Sequence, residues 1–329
     1  MRLFTPIAAV RALSVAGALL CACATQAVAQ NYPVKPIRLI VGSAPGGPID
    51  FSARLIAQKV TEALGQAVVV DNRTGAGGTI ATDYVAKSTP DGYTLLMGSA
   101  ATLCIVPHLY PKIPYDSLRD FSPVSTTTAV SYVLVVHPAI AARSAQEFLA
   151  LARAKPGQLR FGTAGSGSVT HLGVELIKSM AGVDLLHIPY KGAGPAMIDL
   201  LGGQLDFMFD SLLTSTPLVR AGKLRALAQS GARRSPVLPD VPTLAEAALP
   251  GYEVSTWFGL VAPAKTPRDI ITKLHAAVIK GLANTETRDR LLAQGIEPVG
   301  NTPEEFAKLL RTEMPKWAHI VKISGAKVD

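Results

Sequence analysis

The sequence predicts an α/β protein of two lobes, each a mainly parallel sheet flanked by helices, with a ligand cleft between them. Three observations predict it. Apolar runs of strand length alternate with amphipathic segments of helix length through most of the chain. Two strand-to-helix turns are rich in glycine, Ser43-Ala44-Pro45-Gly46-Gly47 and Thr163-Ala164-Gly165-Ser166-Gly167-Ser168. After Thr266 the pattern is helical only, and such a tail packs back onto an existing lobe.

The first unit is Ile37–Val41, an apolar run, then the first glycine-rich turn and Pro48, a residue suited to the first helical position. The helix from Pro48 places Ile49, Ile56, Val60, Ala63 and Leu64 on one face. Ala67–Val70 reads as the next strand, Thr79–Lys87 as a short helix, and Tyr93–Met97 as a third strand after the turn Pro90-Asp91-Gly92. Residues 103–128 lack periodicity and carry several prolines, which predicts loop and short helical turns.

A second series starts at Val133–Val136. Ser144 and Glu147 form a capping-box pattern that opens a helix to Ala154. Leu159–Gly162 is a strand, and Val169–Met180 a helix with Val169, Leu172, Leu176, Ile177 and Met180 on one face. Leu185–Ile188, a helix from Pro195 to Gly202-Gly203, Leu205–Phe209, a helix to Arg220 and Arg225–Gln229 continue the alternation. Residues 231–250 are proline-rich, with a short helix capped by Thr243 and Glu246. Residues 252–261 read as extended, and helices open at Thr266-Pro267 and at Thr302-Pro303-Glu304-Glu305.

The first thirty residues carry Arg2 and Arg11, an apolar run over 12–24 and Ala27-Val28-Ala29, the pattern of a secretory signal cleaved near Ala29. Leu20-Cys21-Ala22-Cys23 offers lipoprotein processing at Cys23 as the alternative. Cleavage leaves Cys104 as the sole cysteine, so the mature chain forms no internal disulfide. The net charge of +8 falls to +6 without Arg2 and Arg11. The basic residues are scattered and not interleaved with aromatics, which argues against a nucleic-acid partner. No segment after the signal is long and apolar enough to span a bilayer.

Motifs for chemistry are absent or incomplete. GxxxxGK[ST] does not occur, and Gly75-Ala76-Gly77-Gly78-Thr79-Ile80 puts Ile80 where a dinucleotide fingerprint needs glycine, so no cofactor is expected. The six histidines are dispersed, with no HExxH; His171 and Glu175, four apart on a helix, read as an exposed surface pair, and no metal is expected. Ser166 sits on a sharp turn, but Ala164 and Ser168 replace the glycines of a nucleophile elbow, which disfavours an exported serine hydrolase. The remaining reading is ligand capture without catalysis.

In open α/β sheets ligands bind beyond the carboxyl ends of the strands. Here those ends are the turns at 43–50, 98–102, 163–171 and 210–211, rich in small and hydroxyl residues and nearly free of Lys and Arg. An anion there relies on helix N-termini, worth roughly 0.3–1 kcal/mol each when exposed. The candidate ligand-binding residues are Ala44, Gly46, Gly47, Pro48, Ile49, Asp50, Ala101, Thr163, Gly165, Ser166, Ser168, Thr170, His171 and Asp210. Asp50 has two readings, favouring its own helix dipole or contacting an amide or amine. Asp210 reads as a loop or helix cap or as a ligand contact.

Several stretches carry a family resemblance: Pro45-Gly46-Gly47-Pro48-Ile49-Asp50, Asp71-Asn72-Arg73-Thr74-Gly75-Ala76-Gly77-Gly78, Pro189-Tyr190-Lys191-Gly192, Asp199-Leu200-Leu201-Gly202-Gly203-Gln204 and Leu238-Pro239-Asp240-Val241-Pro242-Thr243. In this order they resemble the Bug family, extracytoplasmic solute receptors of tripartite tricarboxylate transporters, over essentially the whole mature chain. The resemblance implies a two-lobed, type II-like periplasmic binding protein. Lobe one would be 30–130 plus 255–329, and lobe two 131–254. It implies a monomeric periplasmic receptor for a small organic acid or amide, whose partner is a membrane permease of the tripartite type or a sensor protein. Its binding loops map onto 44–50 and 163–171, where backbone amides and ordered waters hold a carboxylate. The small residues Gly42-Ser43-Ala44 depart from the aromatic that the family often has before the first turn.

Overall fold

The computed structural model describes residues 32–190 and 192–326; the expected signal segment with its expected cleavage site, Cys21 and Cys23, and Lys191 lie outside the described residues. Strand β1, Ile37–Val41, is fully buried at all positions except Arg38. It feeds helix α1, Pro48–Leu64, which starts on Pro48 and stops at Gly65, whose φ of 71° ends the helix. Ala53, Ile56, Ala57 and Val60 of α1 are buried against the same core as Leu39 and Val41. Strands β2, Val68–Asn72, and β3, Thr94–Ser99, flank β1 in parallel. Helix α2, Thr79–Ala86, connects them.

Strand β4, Phe121–Val136, corrects the expectation of loop over 103–128. Residues 101–109 do form the expected helical turns: a π-helical turn, Ala101–Ile105, runs into α3, Val106–Leu109. But Phe121–Thr128 is strand, and Ser125-Thr126-Thr127-Thr128 is buried to 1 % exposure or less. Pro123 is tolerated because the register with its neighbour slips between Pro123 and Ser125. The buried hydroxyls find partners: Thr127 Oγ1 donates to the Phe258 carbonyl at 3.0 Å, and Ser125 Oγ to the Asn301 carbonyl at 2.7 Å.

The second series follows the expected order: α4, Ala145–Ala154; β5, Arg160–Thr163; α5, Val169–Ala181; β6, Leu186–Pro189; α6, Ala193–Leu201; β7, Phe207–Ser211; α7, Leu212–Arg220; β8, Arg225–Gln229; and α8, Leu244–Ala247. Ser144 caps α4, yet Glu147 accepts from the Arg143 N–H at 2.7 Å and not from Ser144, so the expected capping box is half formed. At α8 both halves form, between Thr243 and Glu246. The chain returns through β9, Ser255–Pro263, then α9, Arg268–Ala283; α10, Thr285–Ala293; β10, Ile296–Pro298; and α11, Pro303–Ser324. Phe306, Leu310 and Trp317 of α11 lie in one apolar cluster with Leu103 and with Leu172 and Ile177 of α5.

The sheet is mixed. Its order is β2-β1-β3-β9-β4-β7-β5-β6, with β8 and β10 also on β4. β2-β1-β3 and β7-β5-β6 are parallel sets, whereas β9 and β4 run antiparallel to their neighbours. β4 belongs to both halves: Phe121–Ser131 pairs with β9, and Tyr132–Val136 with β7. Its register fixes where the parallel sets end. Ser99, the last residue of β3, pairs with Phe258, which in turn pairs with Thr128. Ser211, the last residue of β7, pairs with Tyr132. The carboxyl ends of both sets therefore meet, from opposite directions, at the middle of β4.

Asn301 ties this long strand to the C-terminal segment. Its Oδ1 accepts from the Thr126 N–H at 2.7 Å, and its Nδ2 donates to Thr126 Oγ1 at 3.1 Å. Thr126 is buried, so Asn301→Ala leaves a main-chain donor unpaired, at a cost of about 1–3 kcal/mol. Urea denaturation of the variant should show a lower midpoint with unchanged slope; an unchanged midpoint refutes this role.

Candidate functional site

The first turn follows β1 and is held by one carboxylate. Asp50, the third residue of α1, is 4 % exposed. Its Oδ2 accepts from the Gly46 N–H and from Arg54 Nε, each at 3.0 Å, and its Oδ1 accepts from Asn72 Nδ2 at 3.0 Å. Asn72 also donates to the Ser43 carbonyl at 3.0 Å. Burial pushes the Asp50 carboxyl up, but the bonds from Arg54, Gly46 and Asn72 outweigh it and hold the group below the usual carboxylate range. Gly46 takes φ of 93°, a left-handed conformation that glycine adopts without strain. Asp50 thus serves as the clasp of its own turn. The N–H groups of Ile49 and Asp50 find no acceptor among the described residues, since Pro48 opens the helix and the first helical bond is from Phe51 to Gly47.

The second turn follows β5 and is held by side chains beneath it. Thr163 Oγ1 accepts from the Gly165 N–H at 3.2 Å and lies 2.7 Å from His187 Nε2. Ser168 caps α5 by accepting from the His171 N–H at 3.2 Å, and its hydroxyl lies 2.9 Å from that of Thr170, which also accepts from the Ala164 N–H at 3.4 Å. His171 Nδ1 accepts from the Gly167 N–H at 3.0 Å. Gly167 itself cannot carry a side chain: its φ is 75°, and a Cβ there would fall 2.3 Å from Leu109 Cδ1. The N–H groups of Ser166, Val169 and Thr170 find no acceptor among the described residues.

His171 corrects the expectation of an exposed helix-surface pair. It is 6 % exposed, and its Nε2 faces Glu175 Oε1 at 3.7 Å, a carboxylate also bound by Lys178 at 3.0 Å. The imidazole stacks on that of His187, centroids 3.9 Å apart, with Phe161 beyond. Burial, His187 and Lys178 push the His171 pKa down to about 3; burial and Lys178 push His187 down to about 4.

The remaining candidates lie at the same level. Ala101 starts the π-helical turn after β3, where Ser99 and Thr102 exchange main-chain to side-chain bonds at 3.1 and 3.2 Å. Asp210, 2 % exposed, accepts from the Thr214 hydroxyl and from Ser215 Oγ at 2.8 Å, so it anchors the start of α7. Burial raises its pKa, and these bonds only partly oppose that. Gly46 and Asp50 share a cavity of about 380 Å³ with Leu213 and Thr214 of α7, which joins the first turn to the end of β7. A larger cavity, about 880 Å³, lies away from these turns beside Lys35, Arg38, Arg73 and Tyr84.

The structure thus divides the predicted residues. Ala44 and Gly46 are exposed, and Gly47, Pro48, Ile49, Ala101, Gly165, Ser166 and Ser168 are half-buried at strand ends. Thr163, Thr170, His171, Asp50 and Asp210 are buried, with side chains engaged by the turns. Sequence reasoning missed Asn72, Arg54, Thr214 and His187. Asn72 was findable: a polar residue ending a strand parallel to β1 sits beside the first turn.

Both histidines have folded pKa values below the ordinary value near 6.5, so their neutral forms favour the fold above that pH. Stability is present above pH 6.5 and lost as pH falls toward about 4 and then about 3. Between pH 7 and pH 5 the loss should be about 2 kcal/mol per imidazole. Urea titrations should show it, and His187→Gln should halve the slope; an equal slope in the variant contradicts the assignment.

Comparison with known proteins shows the family. The profile of the tripartite tricarboxylate transporter family receptor, TctC, matches residues 52–326. BugT of Bordetella pertussis is 40 % identical over 301 residues, covering 91 % of this chain and 92 % of BugT. A protein of R. palustris solved with adipate superposes with a TM-score of 0.84 at 37 % identity, over 90 % of this chain and 99 % of that one. MatC from Rhodopseudomonas palustris with bound malate gives 0.79 at 36 % identity, over 88 % and 100 %. The chain belongs to the TctC family of solute-binding receptors, the α/β periplasmic binding proteins of tripartite tricarboxylate transport.

Proposed function

We propose that the chain is a periplasmic receptor that captures a small carboxylate-bearing solute between the two turns and delivers it to a membrane permease of the tripartite type. The observation that carries this reading is the convergence of two parallel sets on the middle of β4, each ending in a turn with unpaired amides. Residues 30–130 with 255–329 act as one lobe and 131–254 as the other, with β4 and β9 as the crossing strands. Ile49 and Asp50 offer N–H donors from one side, and Ser166, Val169 and Thr170 from the other. Oriented amides at helix N-termini favour an anion without a fixed cation. The adipate and malate bound by the two solved relatives are dicarboxylates, and that class suits this pair of donor sets.

The site binds without reacting. Ser166 has no imidazole partner among the described residues; His171 Nδ1 already accepts from Gly167, and the Asp210 carboxylate from Thr214 and Ser215. Asp50 acts as the clasp of its turn and leaves the ligand to the main chain. The N-terminal signal is cleaved near Ala29 and the mature chain works as a monomer.

A thermal-shift screen of di- and tricarboxylates, aromatic acids, and amino acids with their amides tests the reading. A ligand at a hundredfold over its Kd should add about 2.7 kcal/mol, a rise of several degrees in Tm. No shift with any acid, together with turnover of esters, overturns it. Loss of uptake in a deletion strain identifies a permease as the partner; intact uptake with a lost transcriptional response identifies a sensor.

Site placement has its own test. Gly47 has φ of −83° and open space where a Cβ would stand, so a larger residue there is accommodated by the fold. Gly47→Trp should keep Tm within about 2 °C of wild type and abolish the ligand-induced shift, as should a bulky residue at Ser166. Unchanged affinity in both variants rejects the location.

A further inference from the structure

Beneath the second turn lies a device that the capture reading does not by itself require. Five residues, 164–168, must hold a conformation containing two left-handed glycines, Gly165 at φ 131° and Gly167 at φ 75°, while leaving the Ser166 N–H unpaired. A glycine-rich segment of this kind gains little from its own side chains and loses more entropy than any other on ordering. Of the main-chain donors that are tied down, Ala164 bonds Thr170 Oγ1 and Ser168 bonds the Gly165 carbonyl, while those of the two glycines lead to the stacked imidazoles: Gly167 directly to His171 Nδ1, and Gly165 through Thr163 Oγ1 to His187 Nε2.

We propose that His171 is a positioning residue for the second turn, acting as a neutral imidazole whose unprotonated Nδ1 sets the direction of the Gly167 amide. The proposal rests on the capture reading for its functional consequence, though not for its chemistry. A main-chain N–H can donate only to a ring nitrogen that bears a lone pair, so the single ring proton is on Nε2, which faces Glu175. The groups that face the ring are His187 from β6 and, on its own helix, Glu175 with the bound Lys178; Phe161 of β5 closes the stack. Protonation at Nδ1 would set a donor against a donor at 3.0 Å and release the turn. The same bond places Gly167 against Leu109, so the turn is fixed on both sides, by the imidazole beneath and by α3 across from it.

Three variants separate the acceptor from mere filling of space. Asn at 171 puts an acceptor near the Nδ1 position, Gln puts one near Nε2, and Leu puts none. Long-range ¹H–¹⁵N correlation on the unliganded wild type should show His171 with Nε2 protonated and Nδ1 bare at pH 7. Hydrogen exchange at the Gly167 amide should speed up at least tenfold in His171→Leu and His171→Gln relative to wild type, and stay within about threefold in His171→Asn. A ring protonated on Nδ1, or Gly167 exchange that is equal in Leu and Asn variants, overturns the proposal. Calorimetry with adipate and with malate as probes then adds the consequence: for whichever binds wild type, Kd rises tenfold or more in the Leu variant and is restored in Asn. Absence of binding by wild type to both probes counts against the capture reading alone, because the spectroscopic and exchange arms need no ligand.

Discussion

Two parallel sheets can present their carboxyl ends to each other only if some strand belongs to both, and β4 is that strand. Its sixteen residues pair with β9 over the first eleven and with β7 over the last five. Two antiparallel pairings by way of β9 leave the β2-β1-β3 set running in the same sense as β4, and one antiparallel pairing at β7 leaves the other set running against it. The carboxyl ends, with their helix N-termini, therefore meet at Thr128–Tyr132. Every feature of the site depends on this register. A slip of one residue along β4 would move one set of turns by about 3.4 Å and turn buried faces outward. The bonds from the Thr126 N–H to Asn301 Oδ1 and from the Tyr132 N–H to Ser230 Oγ, each at 2.7 Å, hold the register on either side of the crossing.

A site made of main-chain donors, as proposed for this receptor, faces a particular difficulty. The amides must be unpaired to bind an anion, yet the segment that carries them must be as rigid as if they were paired. The two turns meet this in different ways. The first uses an ion: Asp50 draws in Gly46, Arg54 and Asn72, and the charge is shared among three donors. The second uses neutral groups, Thr163, Thr170 and the stacked histidines, which bring no net charge into the cleft. Only the first turn holds a charge that would oppose an anion, and the Arg54 guanidinium at 3.0 Å offsets it. Net positive charge spread over the surface adds attraction at long range without fixing a geometry.

Elements governed by local chemistry were legible in the sequence. Helices α1 and α5, each with one apolar face, occur within a residue of their expected spans, and α11 opens where its capping pattern puts it. The first eight residues of β4 were not legible, because a stretch without periodicity that contains Pro123 and four hydroxyl residues in a row reads as loop until Asn301, 175 residues from Thr126, supplies partners for Ser125 and Thr126. The site shows the same division. Glycines and helix starts announced where the turns are. Which side chains look into the cleft and which look back into the turn depended on partners from other strands, Asn72 for Asp50 and His187 for Thr163, and a spacing rule on one segment carries no such information.

That division bears on how selectivity arises in this receptor. Residues that look back into the turns set the positions of the donors, and donor spacing is then a property of the scaffold shared by any acid that fits. Under the proposed capture reading, discrimination between acids of different length would fall to the small residues around the donors, Gly42-Ser43-Ala44 on one side and Ser166 on the other, and to the cavity that Gly46 and Asp50 share with Leu213 and Thr214. One part of that cavity wall belongs to α1 and another to α7, so its shape depends on how the two halves of the sheet sit about the middle of β4. Under that reading a ligand bridging both donor sets would fix that angle, and its length would be read through the angle as much as through any single contact.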